Sequence, residues 1–140
     1  MKIKNYKIRI KTQGFSDIHD LTPEAVTRLS ESGVRNGQAT FFVSGSTAGL
    51  TTVEYEPGLV KDLQELFERL APQKKDYHHE EAWHDGNGFS HVRASLLKPS
   101  LVVPIADGKF TLGTWQQVIL IDFDNRPRQR EIVLQIMGEE

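Results

Sequence analysis

The last third of the chain contains short apolar runs separated by turn signals, and none of these runs has the spacing of a helix. Glycine, proline, aspartate and asparagine residues between the runs are typical of tight turns. Strands are predicted at 101–105, 110–112, 115–123 and 131–137, with turns at 106–108 and 124–127. Consecutive strands joined by short turns pair antiparallel, so this part of the chain predicts an antiparallel sheet.

Two segments nearer the N-terminus have the spacing of amphipathic helices. The first starts at Thr22 and Pro23, which suit a helix cap and a first helical turn, and Gly33 is placed to end it. The second covers 58–70, where apolar residues recur at intervals of three and four. Strands and helices do not alternate regularly along the chain. The sequence therefore predicts an α+β fold with a mainly antiparallel sheet and two main helices, in a single domain covering residues 1–140.

Three further strands are predicted before the last third, at 2–12, 39–43 and 50–55. The first alternates apolar residues with lysine and arginine, which is typical of a strand with one solvated face. Asn36 and Gly37 form a tight-turn signal before the second of these strands. The segment 73–88 shows neither the alternation of a strand nor the spacing of an amphipathic helix, and it is predicted as a long polar loop.

The composition excludes several classes of protein. With 38% apolar and 26% charged residues, the chain has the make-up of an ordinary globular domain. A formal net charge of −2 argues against a general nucleic-acid binder, which usually carries a basic excess. No apolar run approaches the ~20 residues of a membrane span or forms the core of a signal peptide, so we expect a cytoplasmic protein. Without cysteine, any metal must be held by histidine, carboxylates or water.

Four of the five histidines fall in the short window 77–91, together with several carboxylates. The histidines are His78, His79, His84 and His91, and the carboxylates are Glu80, Glu81 and Asp85. Neutral imidazole is a common metal ligand, and its pKa also suits proton transfer. The spacing matches no standard zinc motif such as H-E-x-x-H. The window is therefore the predicted working site, while a loop with solvated histidines explains the clustering equally well.

A second polar constellation lies at 124–130, where Arg126, Arg128 and Arg130 alternate along the chain. On an extended chain these three side chains point to the same side. Their planar guanidinium groups suit the binding of phosphate or carboxylate. Three like charges repel one another unless an anion or an acidic side chain balances them. The alternative is a solvated hairpin with surface ion pairs to glutamate.

Two other segments are weaker candidates. In 113–117, Trp115 is expected in the core, while Thr114 and Gln116 face the opposite way and are predicted to line a pocket or an interface. The segment 44–49 is rich in glycine and small hydroxyl residues, which leave backbone amides free to hold an anion. It is not a Walker loop, because no Gly-Lys-Ser/Thr follows.

Taken together, these segments resemble the YjbQ-like family, often described as secondary thiamine-phosphate synthases. The resemblance runs over 33–138, and its strongest stretch is 104–116. The other matching motifs are 51–58 with Glu54, Tyr77-His78-His79, 87–95 with His91, 122–130 and 135–138.

The resemblance implies a single small α+β domain that assembles as a homotrimer, with a polar, histidine-containing site between subunits. The implied activity joins a pyrimidine methyl diphosphate to a thiazole phosphate and releases pyrophosphate, so the expected ligand is a phosphorylated small molecule. The resemblance also leaves open a divalent metal cofactor, magnesium or zinc. The implied catalytic residues are His79, His91 and Glu54. The implied substrate-binding residues are Thr47, Asn87, Thr114, Gln116, Arg128 and Arg130.

The chain departs from the family pattern at Gly45 and Phe89, where many relatives have histidine. His79 and His91 remain as metal ligands, and Glu54, His84 or Asp85 would have to complete the site. Two alternatives to the synthase therefore stay open. One is a metal-assisted phosphoester hydrolase that uses the same pocket. The other is a non-catalytic trimeric module that binds an anionic metabolite, which the glycine at position 45 favours.

Overall fold

The computed structural model describes all 140 residues, which form eight strands and four helices. The strands are β1 Lys2–Thr12, β2 Asp17–Asp20, β3 Asn36–Val43, β4 Ala48–Val53, β5 Ser100–Ala106, β6 Lys109–Phe110, β7 Gln117–Asp122 and β8 Arg128–Glu139. The helices are α1 Thr22–Ser32, α2 Pro57–Leu70, α3 Glu80–Trp83 and α4 Gly88–Leu96.

The strands form two sheets in which every pair is antiparallel. The larger sheet has the order β1-β8-β3-β5-β6, and the smaller has the order β2-β7-β4. The long strand β8 pairs with β1 on one side and with β3 on the other. The predicted α+β fold with mainly antiparallel strands is confirmed. Two details are corrected, because the strands divide between two sheets and the short helices α3 and α4 add to the two predicted ones.

Strand β7 lies at the centre of the molecule because both of its faces are apolar. Val118 and Leu120 belong to a core between the two sheets, to which α1 also contributes. Ile119 and Ile121 belong to a second, smaller core that contains residues of α2 and α4. Successive side chains on a strand alternate between its faces, so only a continuous apolar run can serve both cores. The molecule is thus layered as sheet, sheet and helices.

A buried arginine fixes helix α4, which carries His91. The side chain of Arg93 is only 4% exposed and forms an ion pair with Glu68 of α2. Arg93 also donates hydrogen bonds to the carbonyl oxygen of Ala71 at 2.9 Å and to Ser16 Oγ at 3.1 Å. A buried charge needs such partners because its desolvation is costly. These bonds hold α4 against the end of α2 and the turn before β2.

Helix α1 starts and ends near its predicted limits, but its first turn differs. Thr22 is the first helical residue rather than the cap. Its hydroxyl accepts a hydrogen bond from the Val118 amide at 2.9 Å, and its own amide donates to Asp20 Oδ1 at 2.9 Å. The hydroxyl therefore ties the helix to β7. Gly33 ends the helix in the left-handed conformation with φ of 74°, as predicted.

One strand was not predicted, and two local predictions are wrong. The segment before α1 contains the strand β2, whose sequence Asp-Ile-His-Asp has too few apolar residues to show a strand pattern. Asn36 and Gly37 begin β3 and do not form a turn. Trp115 is 71% exposed and precedes β7, whereas it was expected in the core. In each case the outcome depends on pairing or packing with distant parts of the chain.

Gly37 offers a test of the pairing between β3 and β8. It faces Gly138 in the register, and a Cβ atom at Gly37 would lie 2.0 Å from the carbonyl oxygen of Met137. We therefore expect Gly37→Ala to lower the free energy of unfolding by about 1–3 kcal/mol, the usual cost of overpacking. Urea denaturation measures this loss. In the control Gly113→Ala the new Cβ has no neighbour closer than 3.7 Å, so equal losses in both variants would contradict the assignment.

Candidate functional site

Several segments that are distant in sequence meet beside the C-terminal end of β7. Strand β7 ends at Asp122, and Asp124 follows it. The loop before β4 contributes Thr47, and the start of β8 contributes Arg128 and Arg130. The start of α4 and the turn before α3 add the remaining polar side chains. The result is a buried polar network next to a histidine pair.

The first part of the network is an ion pair between Arg130 and Asp122. The two side chains are 8% and 0% exposed. Arg130 donates from Nε to Asp122 Oδ2 at 2.6 Å and from Nη2 to Oδ1 at 2.9 Å. Nη2 also donates to Thr47 Oγ1 at 2.6 Å, and Thr12 donates to Asp122 Oδ2 at 2.5 Å. The pair therefore joins the larger sheet to the smaller one.

The second part of the network surrounds Asp124, whose side chain is fully buried. Its Oδ2 accepts hydrogen bonds from Thr47 Oγ1 at 2.8 Å and from Asn87 Nδ2 at 3.2 Å, and it pairs with Arg128 Nη2 at 3.1 Å. Burial raises the pKa of Asp124, but the hydrogen bonds from Thr47, Asn87 and Arg128 together outweigh this and lower it. Oδ1 is buried and has no hydrogen-bond partner. Such an atom is uncommon within a folded chain and is a place where a water molecule, an ion or a ligand binds.

Asn87 links this network to the start of α4. Its Oδ1 accepts hydrogen bonds from Ser90 Oγ at 2.5 Å and from the Asn125 amide at 3.1 Å. The same side chain donates to Asp124, so one amide group holds the start of α4 to the turn that follows β7. His91 follows Ser90 in the first turns of α4. Its position is therefore set by the polar network.

The imidazole rings of His79 and His91 lie 4.3 Å apart between centroids and are tilted by 34°. Burial lowers the pKa of His91, and the neighbouring His79 lowers it further. His79 Nδ1 is buried without a hydrogen-bond partner. It lies 3.6 Å from both Glu80 Oε1 and Asp85 Oδ1. The structure thus brings together the predicted histidine pair and adds two carboxylates to it.

The ligand atoms of His79, Glu80 and Asp85 lie within 4.8 Å of one another. One imidazole nitrogen and two carboxylate oxygens form a donor set that suits zinc and related divalent ions. His79 Nδ1 has no hydrogen-bond partner in the chain and can coordinate as the unprotonated ring nitrogen, so these residues fit a divalent cation. His84 ends α3 with φ of 52° and is outside this group.

Three predicted site residues lie at the opposite end of β4. The strand starts at Ala48, paired with Asp122, and ends at Val53, paired with Gln117. At about 3.3 Å per residue, its ends are roughly 17 Å apart. Glu54 follows the distal end and is exposed, and Thr114 and Gln116 lie near it, where Gln116 donates to Thr52 Oγ1 at 3.0 Å. One chain therefore brings Thr47, Asn87, Arg128 and Arg130 close to the histidine pair, but not Glu54, Thr114 or Gln116.

The arginines at the start of β8 differ in their surroundings. Arg126 is exposed, while Arg128 and Arg130 pair with buried aspartates and not with surface glutamates. Asp122 and Asp124 were missed as site residues in the sequence. Their position at the end of an apolar run could have identified them from the sequence, because a carboxylate at the end of a buried strand needs a partner.

Comparison with known proteins identifies the family. The family described as "UPF0047 protein YjbQ-like" matches residues 6–139. The chain belongs to the YjbQ/UPF0047 family. A UPF0047 protein of Archaeoglobus fulgidus is 36% identical over 131 residues, which is 94% of this chain and 99% of the relative. The UPF0047 protein YugU of Bacillus subtilis is 32% identical over 133 residues, covering 94% and 97% of the two chains.

Solved structures support the same family assignment. An uncharacterised conserved protein of the YjbQ/UPF0047 family from Clostridium acetobutylicum has a TM-score of 0.86 and 33% identity, covering 94% of this chain and 99% of that one. A hypothetical protein from Aeropyrum pernix has a TM-score of 0.90 and 28% identity, covering 97% and 99%. The names of these YjbQ-family relatives give no activity. In this YjbQ-family chain, none of the helices has the length and apolar character needed to cross a membrane.

The two departures from the family pattern have different environments. Phe89 is 1% exposed, its ring stacks on that of Phe15 at 6.2 Å, and the guanidinium group of Arg93 lies 4.8 Å from its centre. It therefore packs α4 against its surroundings. Gly45 is exposed in the loop between β3 and β4.

The environment of His91 predicts its titration. Because burial and the nearby His79 both lower its pKa, we expect the His91 imidazole to titrate below the free value of ~6.5 in metal-free protein. In His79→Gln the pKa of His91 should rise, since one of its two causes is removed. NMR titration of the imidazole resonances measures both values. A midpoint at or above 6.5 in the parent protein would exclude this environment.

Asp124 tests the buried network. Asn at position 124 would leave some of the surrounding buried donors without an acceptor, which usually costs about 1–3 kcal/mol, so we expect Asp124→Asn to lower the free energy of unfolding by that amount at pH 7. The pKa of Asp124 is lowered by folding, so its stabilisation is present above ~3.9 and is lost as the pH falls through the lower folded value. Denaturation of both proteins between pH 7 and pH 3 measures the difference. Asp107→Asn, in an exposed turn, is the control and should change stability little.

Proposed function

We propose that this YjbQ-family chain is an enzyme that acts on a phosphorylated small molecule, and that its reaction is that of a secondary thiamine-phosphate synthase. The observation that carries the proposal is the unpartnered His79 Nδ1, which faces the carboxylates of Glu80 and Asp85 beside the ring of His91. This arrangement supports metal-assisted chemistry on a phosphate-bearing ligand. The choice of substrates rests on the family resemblance.

In the proposed reaction, the bond between the pyrimidine methylene carbon and the diphosphate oxygen breaks. The diphosphate leaves with the bonding electron pair, and the ring nitrogen of the thiazole phosphate forms the new bond to the same carbon. Positive charge develops on the carbon and negative charge on the leaving group, so stabilisation of the diphosphate is the main catalytic requirement. A divalent cation held by His79, Glu80 and Asp85 would supply that stabilisation when bound.

The side chains of this chain would assist in two ways. His91 is neutral near pH 7 because its pKa is lowered, so its N–H can donate a hydrogen bond to the departing diphosphate. Arg128 is 36% exposed and pairs with Asp124 through Nη2, so the exposed part of its guanidinium group, and not the buried Nε, would donate to a phosphate oxygen. Thr47 and Asn87 hold Asp124 and thereby position Arg128, which makes their proposed contribution to substrate binding indirect.

Glu54, Thr114 and Gln116 would contribute through a homotrimer. They lie too far from His79 to act in the same subunit, so we propose that a neighbouring subunit presents its distal end of β4 to the histidine pair. The large side chains of Trp115 and Tyr55, 71% and 43% exposed, lie near that end of the strand. Exposed aromatic residues are enriched at subunit interfaces, which supports this arrangement. The expected location of such an enzyme of small metabolites is the cytoplasm.

A metal-assisted phosphoester hydrolase is the second candidate. It is favoured by the pairing of Arg128 and Arg130 with aspartates, because these arginines then offer little net positive charge to a diphosphate. Neutral His91 could instead accept a proton from an attacking water molecule. The third candidate, a non-catalytic trimeric module that binds an anionic metabolite, is favoured by the loss of a potential imidazole ligand at Gly45.

The synthase reaction can be tested with purified protein, both thiamine precursors and magnesium. We expect thiamine phosphate and pyrophosphate as products. Turnover should fall at least ~100-fold in His79→Gln, which removes a proposed metal ligand, and in His91→Gln, which removes the proposed hydrogen-bond donor to the diphosphate. His78→Gln is the matched control, because the His78 side chain is 98% exposed and contacts Glu81.

Other outcomes separate the three candidates. If product formation by the parent does not exceed that of His79→Gln, the synthase proposal fails. Chelator-sensitive release of phosphate from a panel of phosphate esters would then support the hydrolase. Tight binding of an anionic metabolite without turnover, unchanged by His79→Gln, would support the binding module.

A further inference from the structure

Gly45 lies beside the buried side chain of Arg130. Its φ of +134° is a conformation that residues with a side chain rarely adopt. A Cβ atom at this position would lie 2.7 Å from Arg130 Nη1. Any other residue would therefore cover this nitrogen or displace it. The glycine leaves Nη1 open at the surface of the loop.

The donors of Arg130 are used unevenly. Nε and Nη2 donate to Asp122 and Thr47, as described above. Nη1 donates to no group in the chain, and it is not completely buried. Because the side chain as a whole is 8% exposed, this nitrogen presents a largely buried cation with two free N–H groups. Free donors of this kind are suited to an anionic oxygen.

A cavity of about 300 Å³ lies next to this position. Its wall includes Gly45, Ser46, His91 and Ser95, and no acidic residue lines it. Arg130 is not itself a wall residue, so Nη1 is approached from this cavity only at Gly45. The volume is at the lower end of the range for small-molecule sites, large enough for a phosphate group with part of its metabolite. The cavity also connects Gly45 with His91, so a ligand bound there would reach the histidine pair.

We infer that Gly45 opens a phosphate subsite, in which Arg130 Nη1 donates hydrogen bonds to a phosphate oxygen of the ligand. The inference builds on the proposed function by stating where the phosphate is held, but it concerns binding alone. Asp122 already balances the charge of Arg130, so recognition depends on the two directed N–H groups more than on net charge. Position 45 then decides whether the subsite exists, because a side chain there removes access to Nη1.

The test uses inorganic phosphate and the metal-free full chain, followed by NMR of the backbone amides and the arginine side chains. We expect saturable shifts at Gly45, Ser46 and the Arg130 guanidinium group. Gly45→Ala should remove them, because its Cβ covers Nη1. Since the backbone conformation at Gly45 makes this variant strained, a second variant is needed. Ser46→Asp places a carboxylate at an exposed position of the cavity wall and should weaken phosphate binding at least tenfold.

Two controls make the result specific. Ser46→Asn has nearly the same size as Ser46→Asp without its charge, so it should weaken binding less. Gln38→Glu adds a negative charge on the exposed side of β3, away from the cavity, and should bind phosphate as the parent does. Equal affinity in Ser46→Asp and the parent would overturn the subsite, and so would shifts confined to 77–85 or no saturable shift at all. Phosphate binding at Gly45 in a protein without synthase activity would leave the subsite standing and remove only the synthase proposal.

Discussion

The bidentate ion pair between Arg130 and Asp122 is the interaction on which the rest of the structure depends. Both side chains are almost completely buried, so neither charge can be kept without the other. Arg130 belongs to the larger sheet and Asp122 to the smaller, and Thr12 of β1 adds a third strand to the same carboxylate. The pair therefore fixes the relative position of the two sheets at one end of the molecule, where apolar packing alone would allow some sliding.

The candidate site is built outward from this pair. Thr47 accepts from Arg130 and donates to Asp124, and Asp124 in turn holds Asn87 at the start of α4. Each step leaves the next side chain with a defined orientation, and the last step places His91 against His79. A network of hydrogen-bonded side chains on rigid strands and helices gives such precision better than a loop does. The atoms left unsatisfied, Asp124 Oδ1 and His79 Nδ1, are then the places where a ligand has most to contribute.

The sequence allowed most of the fold to be predicted, because many elements carry a local signal. The apolar run of β7, the stripe of α2 and the glycine that ends α1 each follow from their own residues. Strand β2 did not, since its four residues are strand-forming only through their pairing with β7. The histidine pair was predicted from composition and family resemblance. The role of Arg130 was harder to predict, because alternation indicates which way a side chain points but not which carboxylate it meets.

Glu54 illustrates a different limit. The family resemblance groups Glu54 with His79 and His91, which belong to other motifs, but a shared family pattern gives no distance between residues. Within one chain, the length of β4 separates Glu54 from His79. Two explanations can reconcile the motif with the fold: either Glu54 serves another purpose, or the site is completed by a second subunit. The exposure of Trp115 and Tyr55 near the same end favours the second explanation, since large aromatic side chains are costly to leave in water. In the proposed homotrimer, strand β4 would act as a spacer with part of a site at each end, so assembly and catalysis would depend on the same contacts.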